Sequence, residues 1–234
     1  QGNNVVLTID DRLQQVAAEA LGHEKGSIVA IEPSTGKILA MVSYPTFDSN
    51  TVSENWAELN SDDENSPLLN RATQGLYPPG STFKIITAAS ALEVSTKYMD
   101  FNFKCTGDTK FGDSILHCYD GKAHGKVDMT SAFAKSCNGY FATVAEEIGN
   151  DQLIKTATDF GFNTDLNFPL EYKKASFALK SNSDVKELAA TAIGQGKTLT
   201  SPLFMAMVTS AIANNGSIMQ PYIVDHIETP SGGV

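Results

Sequence analysis

The run Ser81–Val94, STFKIITAASALEV, constrains this chain most. It holds no Gly or Pro, and Phe83, Ile86, Ala89 or Ser90, and the Ala91-Leu92 pair fall on one face at helical spacing. So much Ala, Ile and Phe predicts a buried helix rather than a surface one. Pro79 and Gly80 set a turn before it. Ser81 and Lys84 form an i, i+3 pair just inside the helix start, so the lysine amine can reach the serine hydroxyl. The positive end of the helix dipole favours the charge that develops at such a serine during acyl transfer. A lysine there is costly to bury unless it is paired or deprotonated, and burial lowers its pKa, as a general base requires. The plainer alternative is a lysine that snorkels to water.

The letters alone decide little, because Ser34-Thr35-Gly36-Lys37 fits the same S-x-x-K pattern. That stretch follows Pro33 and joins the apolar runs Ser27–Ile31 and Ile38–Val42, so it reads as a hairpin turn with a solvated lysine. A second motif is needed, and Ser136-Cys137-Asn138 supplies it. It follows the short helical turn Met129–Lys135 and precedes a helix over Tyr140–Ile148. There Phe141, Val144, Ala145 and Ile148 share a face, and Gly149 reads as the C-cap. A hydroxyl at such a junction can relay a proton, and an amide can hold a substrate carbonyl. Ser53-Glu54-Asn55 matches the same S-x-N letters in a polar loop, and the bland alternative for Ser136 is an ordinary cap.

Elsewhere, Val5–Thr8 reads as a strand. Asp10–Leu21 reads as a helix with Leu13, Val16, Ala17, Ala20 and Leu21 on one face. Gly26–Ile31 and Lys37–Ser43 form the hairpin. Asp48–Pro67 is expected to be a long polar loop. Gln152–Phe160 is a further helix, and Asn163–Asn182 is irregular. Ser201-Pro202 is a helix start, with serine as N-cap and proline in the first turn, for Leu203–Ala213. The sum is an α+β domain over 1–234, helices packed on an antiparallel sheet, with a mostly helical lobe inserted at roughly 81–161. At 234 residues and 41% hydrophobic, the chain can bury one large core or two modest ones. A net charge of −10 argues against nucleic acid. No apolar run reaches the roughly 18–20 residues of a membrane span, and no signal peptide is apparent.

Of the three cysteines, Cys105 and Cys118 bracket the Gly/Asp-rich insert Thr106–His117 and could form a disulfide outside the cytoplasm. Cys137 reads as a small filler inside the second motif. His117, Cys118 and His124 lie close in sequence. Without paired C-x-x-C or H-x-x-x-H spacing no metal is expected, and His117 and His124 read as loop histidines.

PPGSTFK followed by Ser136-Cys137-Asn138 resembles the transpeptidase domain of the bacterial penicillin-binding proteins. Glu32–Met41 resembles that family's N-terminal hairpin, Ser43–Asp48 the stretch after it, and Leu69–Ala72 the approach to the nucleophile. Gly194-Gln195-Gly196 with Thr200-Ser201-Pro202 resembles a late segment. The likeness covers nearly the whole chain. Its details are similar to the monofunctional class B type, whose members crosslink peptidoglycan during elongation or division.

The resemblance implies the serine β-lactamase/penicillin-binding transpeptidase fold, with the following roles. Ser81 attacks the penultimate D-Ala carbonyl of a stem peptide and forms an acyl-enzyme. Lys84 removes its proton, Ser136 passes a proton toward the leaving nitrogen, and Asn138 holds the acyl side chain and Lys84. The Ser81 N–H supplies half of an oxyanion hole, a donor worth roughly 3–4 kcal/mol. The implied partners are stem peptides, β-lactams and a glycosyltransferase of the cell-wall machinery, with no cofactor. The implied location is the extracytoplasmic face of the bacterial membrane, through an anchor ahead of this stretch.

One departure stands out. The family's third motif, Lys-Thr/Ser-Gly on a strand that walls the site, is absent from these residues. Lys197-Thr198-Leu199 falls too early and reads as a loop. The chain is therefore expected to be trimmed at its polar start, Gln1-Gly2-Asn3-Asn4, and incomplete after Val234. In isolation it would be a half-built site. Two other readings stay open. A class A β-lactamase would need a Glu-x-x-x-Asn well after the second motif. Glu146-x-x-x-Asn150 matches in letters but lies on the helix soon after Ser136. Class D uses S-x-V, which Asn138 contradicts. A non-catalytic β-lactam sensor or scaffold would keep the serine but not the crosslinking.

Overall fold

The structure, a computed structural model, describes residues 2–230 and 233. Gln1 and Val234, the expected trimmed start and early stop, lie outside them. The elements run β1 (Asn4–Leu7), α1 (Asp11–Leu21), β2 (Gly26–Ile31), β3 (Ile38–Tyr44), α2 (Trp56–Ser61), α3 (Lys84–Val94), β4 (Phe103–Cys105), β5 (Asp108–Phe111), β6 (Ser114–His117) and β7 (Gly125–Val127). They continue with α4 (Met129–Ala134), α5 (Asn138–Asp159), α6 (Val185–Ala192), α7 (Pro202–Ala213) and β8 (Val224–Glu228). The chain folds as two units.

The first unit takes residues up to Leu76, Asp165–Lys174 and those from Thr200 on. β2 and β3 form the antiparallel hairpin, in register from Gly26↔Tyr44 to Ala30↔Ala40. Gly36 turns it at φ +84°, and a Cβ there would overlap the Gln220 carbonyl. β8 pairs antiparallel with β1 through Val5↔Ile227. Ile38, Phe168, Leu203 and Ile223 form the core beneath these strands. Asp10 caps α1 through the Leu13 N–H at 2.9 Å, and Ser201 caps α7 through the Phe204 N–H at 3.2 Å. The Asp48–Pro67 stretch is not all loop. Trp56–Ser61 forms a short helix that buries none of its residues, so no apolar face betrayed it.

The second unit takes Tyr77–Thr164 and Ala175–Leu199. α3 buries Ile86, Thr87, Ala88, Ser90 and Ala91, and α5 buries Tyr140, Phe141, Val144 and Ala145. Two buried hydroxyls tie its segments: Thr87 donates to the Ala192 carbonyl at 2.7 Å, and Tyr140 to that of Tyr98 at 2.9 Å. The sequence predicts a helix end at Gly149, and there α5 breaks, at φ +81°. α6 was not anticipated, although Asp184 accepts from the Glu187 N–H at 2.8 Å in a legible capping signature. The cysteine-bearing insert folds into two short ribbons, β4 with β7 and β5 with β6.

Phe83, fully buried, anchors the turn that carries the Ser81 motif. Its ring lies 5.8 Å from those of both Phe162 and Phe177. Phe83→Ala should destabilise this unit by about 3–5 kcal/mol. Urea unfolding followed by circular dichroism checks this, and a loss below about 1 kcal/mol would contradict the packing described.

Candidate active site

Ser81 lies in a single 3₁₀ turn, Gly80–Phe83, that runs directly into α3. The first turn of the expected helix is thus tighter than α. Gly80 enters it at φ +56°, and its N–H donates to the Gly194 carbonyl at 2.9 Å. Gly194 itself sits at φ +73°, where a Cβ would overlap the Gly80 carbonyl. The Gly194-Gln195-Gly196 stretch therefore matters as backbone, because it lets a loop press against the turn that carries Ser81.

Lys84 is 1% exposed. Its Nζ lies 3.1 Å from Ser81 Oγ, 2.9 Å from both the carbonyl and the hydroxyl of Ser136, and 2.7 Å from Asn138 Oδ1. It also faces the Phe141 ring at 5.7 Å. The snorkelling alternative does not hold. Burial pushes the Lys84 pKa down to about 8, against the Cys137 and Cys118 thiols, which act in the opposite sense. Ser136 Oγ donates to Ser81 Oγ at 2.8 Å, closing a ring of three polar groups. Ser81 and Ser136 are exposed and Asn138 is half-buried, so the hydroxyls face outward while the amine lies beneath them.

Ser136 owes its position to the end of α4. Cys137 donates to the Ala132 carbonyl and Ser136 to that of Phe133, a Schellman pair with Ser136 at the left-handed position, φ +51°. Glycine is the usual residue there, and a serine costs about 1–2 kcal/mol. Asn138 is held from outside the motif, its Nδ2 donating to the His117 carbonyl at 2.9 Å. Sequence reasoning treated His117 as a plain loop residue, and a backbone contact of this kind leaves no residue-type signal.

The decoys separate cleanly. Lys37 occupies the β2–β3 turn, is 38% exposed and pairs with Asp225 at 3.3 Å. Lys197 is exposed. Ser53-Glu54-Asn55 lies in the polar stretch before α2, all three residues exposed. Asn150 spends its amide on the carbonyls of Ser181 and Ser183, and Glu146 is exposed on α5. The cysteines are free, and they depart most from expectation: Cys105, Cys118 and Cys137 converge with His124, their ligand atoms within 4.8 Å of one another.

A family model for the penicillin binding protein transpeptidase domain matches residues 26–232. The chain belongs to this family. It is 38% identical to the peptidoglycan D,D-transpeptidase PbpA of Mycolicibacterium smegmatis over 98% of its own length and 50% of that protein. It is 36% identical to MrdA of Acinetobacter baumannii, over 96% and 36% of the two chains. The D,D-transpeptidase domain of a peptidoglycan glycosyltransferase from Eggerthella lenta superposes at a TM-score of 0.94 with 35% identity, over 99% of this chain and 59% of that one. The ceftriaxone acyl-enzyme of Mycobacterium tuberculosis penicillin-binding protein A superposes at 0.92 with 34% identity, over 100% and 56%. These likenesses place the chain with the class B penicillin-binding proteins and show their α+β fold. The chain spans half the length of the first relative and about a third of the second.

The strained serine makes a test. Ser136→Gly should stabilise the protein by about 1 kcal/mol, while slowing reaction of Ser81 with a β-lactam by at least roughly tenfold. Thermal melts and stopped-flow acylation read the two effects, and a variant that loses stability would remove the strain argument.

Proposed function

We propose that this chain carries the acyl-enzyme chemistry of a penicillin-sensitive peptidoglycan D,D-transpeptidase. The observation that carries the reading is the Ser81–Lys84–Ser136 ring, with a buried amine under an exposed hydroxyl. Neutral Lys84 takes the proton as Ser81 Oγ attacks the carbonyl between two D-Ala residues. The oxyanion forms beside the Ser81 N–H. As the C–N bond breaks, Lys84 returns the proton through Ser136 to the leaving D-Ala nitrogen, and an ester to Ser81 remains. An amine from a second stem peptide then attacks the ester and yields the crosslink. Asn138 orients the acyl chain while fixing Lys84. A β-lactam enters by the same attack, but its leaving nitrogen stays tethered by the ring. No helix among the described residues is long and apolar enough to cross a membrane. We place the domain on the extracytoplasmic face of the membrane, working beside a glycosyltransferase that supplies glycan strands.

Incubation with penicillin G followed by intact mass measurement should show one adduct, mapped to Ser81 and lasting many minutes. Ser81→Ala should abolish it, and Ser34→Ala should leave it unchanged. Loss of the adduct within seconds would overturn the transpeptidase reading in favour of hydrolysis. Acylation without any use of a stem-peptide acceptor would favour the sensor.

The pH dependence follows from Lys84. With its pKa lowered from the ordinary 10.5 to about 8, only about a tenth of the amine is neutral at pH 7. Acylation should rise about tenfold per pH unit below 8 and level off above it. The same shift removes stability as the pH falls from 10.5 towards 8, since the unfolded chain takes up its proton first. A profile flat between pH 6 and 9, measured with penicillin G, would exclude Lys84 as the base.

A further inference from the structure

A cavity of about 510 Å³ opens beside the second motif, lined by Tyr119, Lys122, Ala123, His124, Ala134 and Lys135. Its size suits a small ligand or a short stretch of peptide. None of these residues is acidic, although the chain as a whole carries a net charge of −10. Asp128, at the start of α4, is committed to the N–H and hydroxyl of Ser131 at 2.8 and 2.6 Å. Among the described residues, neither the Lys122 ammonium nor the Tyr119 hydroxyl has a hydrogen-bond partner, and the Tyr119 ring is 83% exposed.

The walls are two segments tied together. Lys135 ends α4 as its C-cap, and its Nζ donates to the His124 carbonyl at 3.2 Å. Tyr119, Lys122 and Ala123 lie on the connection from β6 to β7. That connection turns through Asp120 at φ +52° and Gly121 at φ +65°. Gly107 presses so close that a Cβ there would overlap the Gly121 carbonyl. A non-glycine residue in the left-handed region is kept there by its surroundings, a feature that gathers at ligand clamps. The cavity also lies near the Ser81–Lys84–Ser136 ring. Lys135 precedes Ser136 in the chain. The His124 imidazole is held below its ordinary pKa by burial first, and then by the charges of Lys135, Lys122 and Lys84. The imidazole thus feels both cavity lysines and the amine beneath Ser81.

We propose that this cavity is an acceptor subsite, where Lys122 and Lys135 receive a carboxylate of the second stem peptide and Tyr119 covers its methylene groups. Position favours the acceptor over the donor. Acylation releases an amine and transfer consumes one, so the second half-reaction is the first run backwards with a new amine. The incoming nitrogen must therefore stand where the leaving nitrogen stood, on the Ser136 side. It forms the new amide bond as the ester C–O bond breaks, and its proton passes by Ser136 and Lys84 to Ser81 Oγ. An acceptor anchored by its carboxylate meets the ester in an oriented, effectively intramolecular step. Lysine suits this anchor, being a point charge on a flexible stem that can follow a mobile peptide. Exposed ion pairs are individually weak, so the two lysines select among acceptors rather than hold one tightly. The acceptor role rests on the proposed acyl-transfer chemistry, whereas carboxylate binding does not.

The probes are stem tripeptides ending in L-Lys or meso-diaminopimelate, each compared with the same peptide carrying carboxamides in place of its carboxylates. In isothermal titration the carboxylate forms should bind more tightly, and added salt should erase the difference. Lys122→Met and Lys135→Met should each weaken carboxylate binding by about two- to fivefold and leave carboxamide binding as it was. Lys186→Met, the same loss of charge at an exposed position on α6, sets the background. With a carboxylate-free N-acyl-D-alanyl thioester as donor, the acyl-enzyme partitions between water and added tripeptide. Both lysine variants should lower the share taken by the carboxylate acceptor and not the share taken by the carboxamide. Equal affinity for the two forms, or a loss no larger than in Lys186→Met, overturns the site. Variants that slow acylation while leaving the partition intact place the carboxylate on the donor and overturn the acceptor role. Lysine-dependent binding with no transfer to any amine keeps the carboxylate site and sinks the transpeptidase reading instead. Should Lys135→Met fail to fold, Lys122→Glu decides, with a larger loss expected than for Lys122→Met.

Discussion

One buried amine, that of Lys84, organises the second unit. Taking a lysine out of water costs roughly several kcal/mol even after relaxation. Lys84 offsets this with four oxygen acceptors from three residues, Ser81, Ser136 and Asn138. An ammonium has only three protons to give, and a neutral amine two. Four acceptors are more than either form can satisfy at once, but the ammonium satisfies one more of them than the amine, so hydrogen bonding favours the charged form. Burial then weighs against the charged form and brings the pKa near working pH. A lysine on a bare surface helix with the same neighbours in sequence would stay charged and could not act as a base.

The acceptors must be delivered by backbone that has few reasons to be there. Ser136 holds a left-handed conformation that a Schellman pair imposes. Asn138 is steadied by a carbonyl from the cysteine-bearing insert. Gly80 and Gly194 meet backbone to backbone, with no room for a side chain. Strain and close approach of this kind persist only where the surroundings over-determine them. The buried faces of α3 and α5 and the aromatic trio around Phe83 supply that rigidity.

These supports differ in how far sequence displays them. Ser81, Lys84, Ser136 and Asn138 were legible because local helix signals and the surrounding motifs agreed. Asp10, Ser201 and Gly149 announced their element ends by side-chain chemistry that acts within a few residues. The short helix at Trp56–Ser61 buries nothing, so periodicity had no face to report. The Cys–His convergence was invisible for a different reason. Its members come from four segments at spacings no linear motif describes, and only the ribbon pairing β4–β7 and β5–β6 brings them together. The His117 carbonyl and the Gly194 backbone act without side chains, so residue identity carries no trace of the first and only a glycine as a trace of the second.

The same geometry bears on what becomes of the acyl-enzyme. Fast hydrolysis requires a carboxylate or an equivalent base that activates water next to the ester. Among the described residues, the groups hydrogen-bonded to Ser81, Lys84 and Ser136 are hydroxyls, one amide and one carbonyl. Of the Glu146–Asn150 pair, which matches a hydrolase signature in letters, Glu146 is exposed and Asn150 is committed to the Ser181 and Ser183 carbonyls. On the proposed acyl-transfer chemistry, Lys84 is then the base at hand for both half-reactions. In that scheme it activates Ser81 in the first, and in the second it deprotonates an incoming ammonium whose amine is a far better nucleophile than water. An ester that waits for an amine is what the proposed transfer requires, and the same waiting would hold a β-lactam adduct on Ser81.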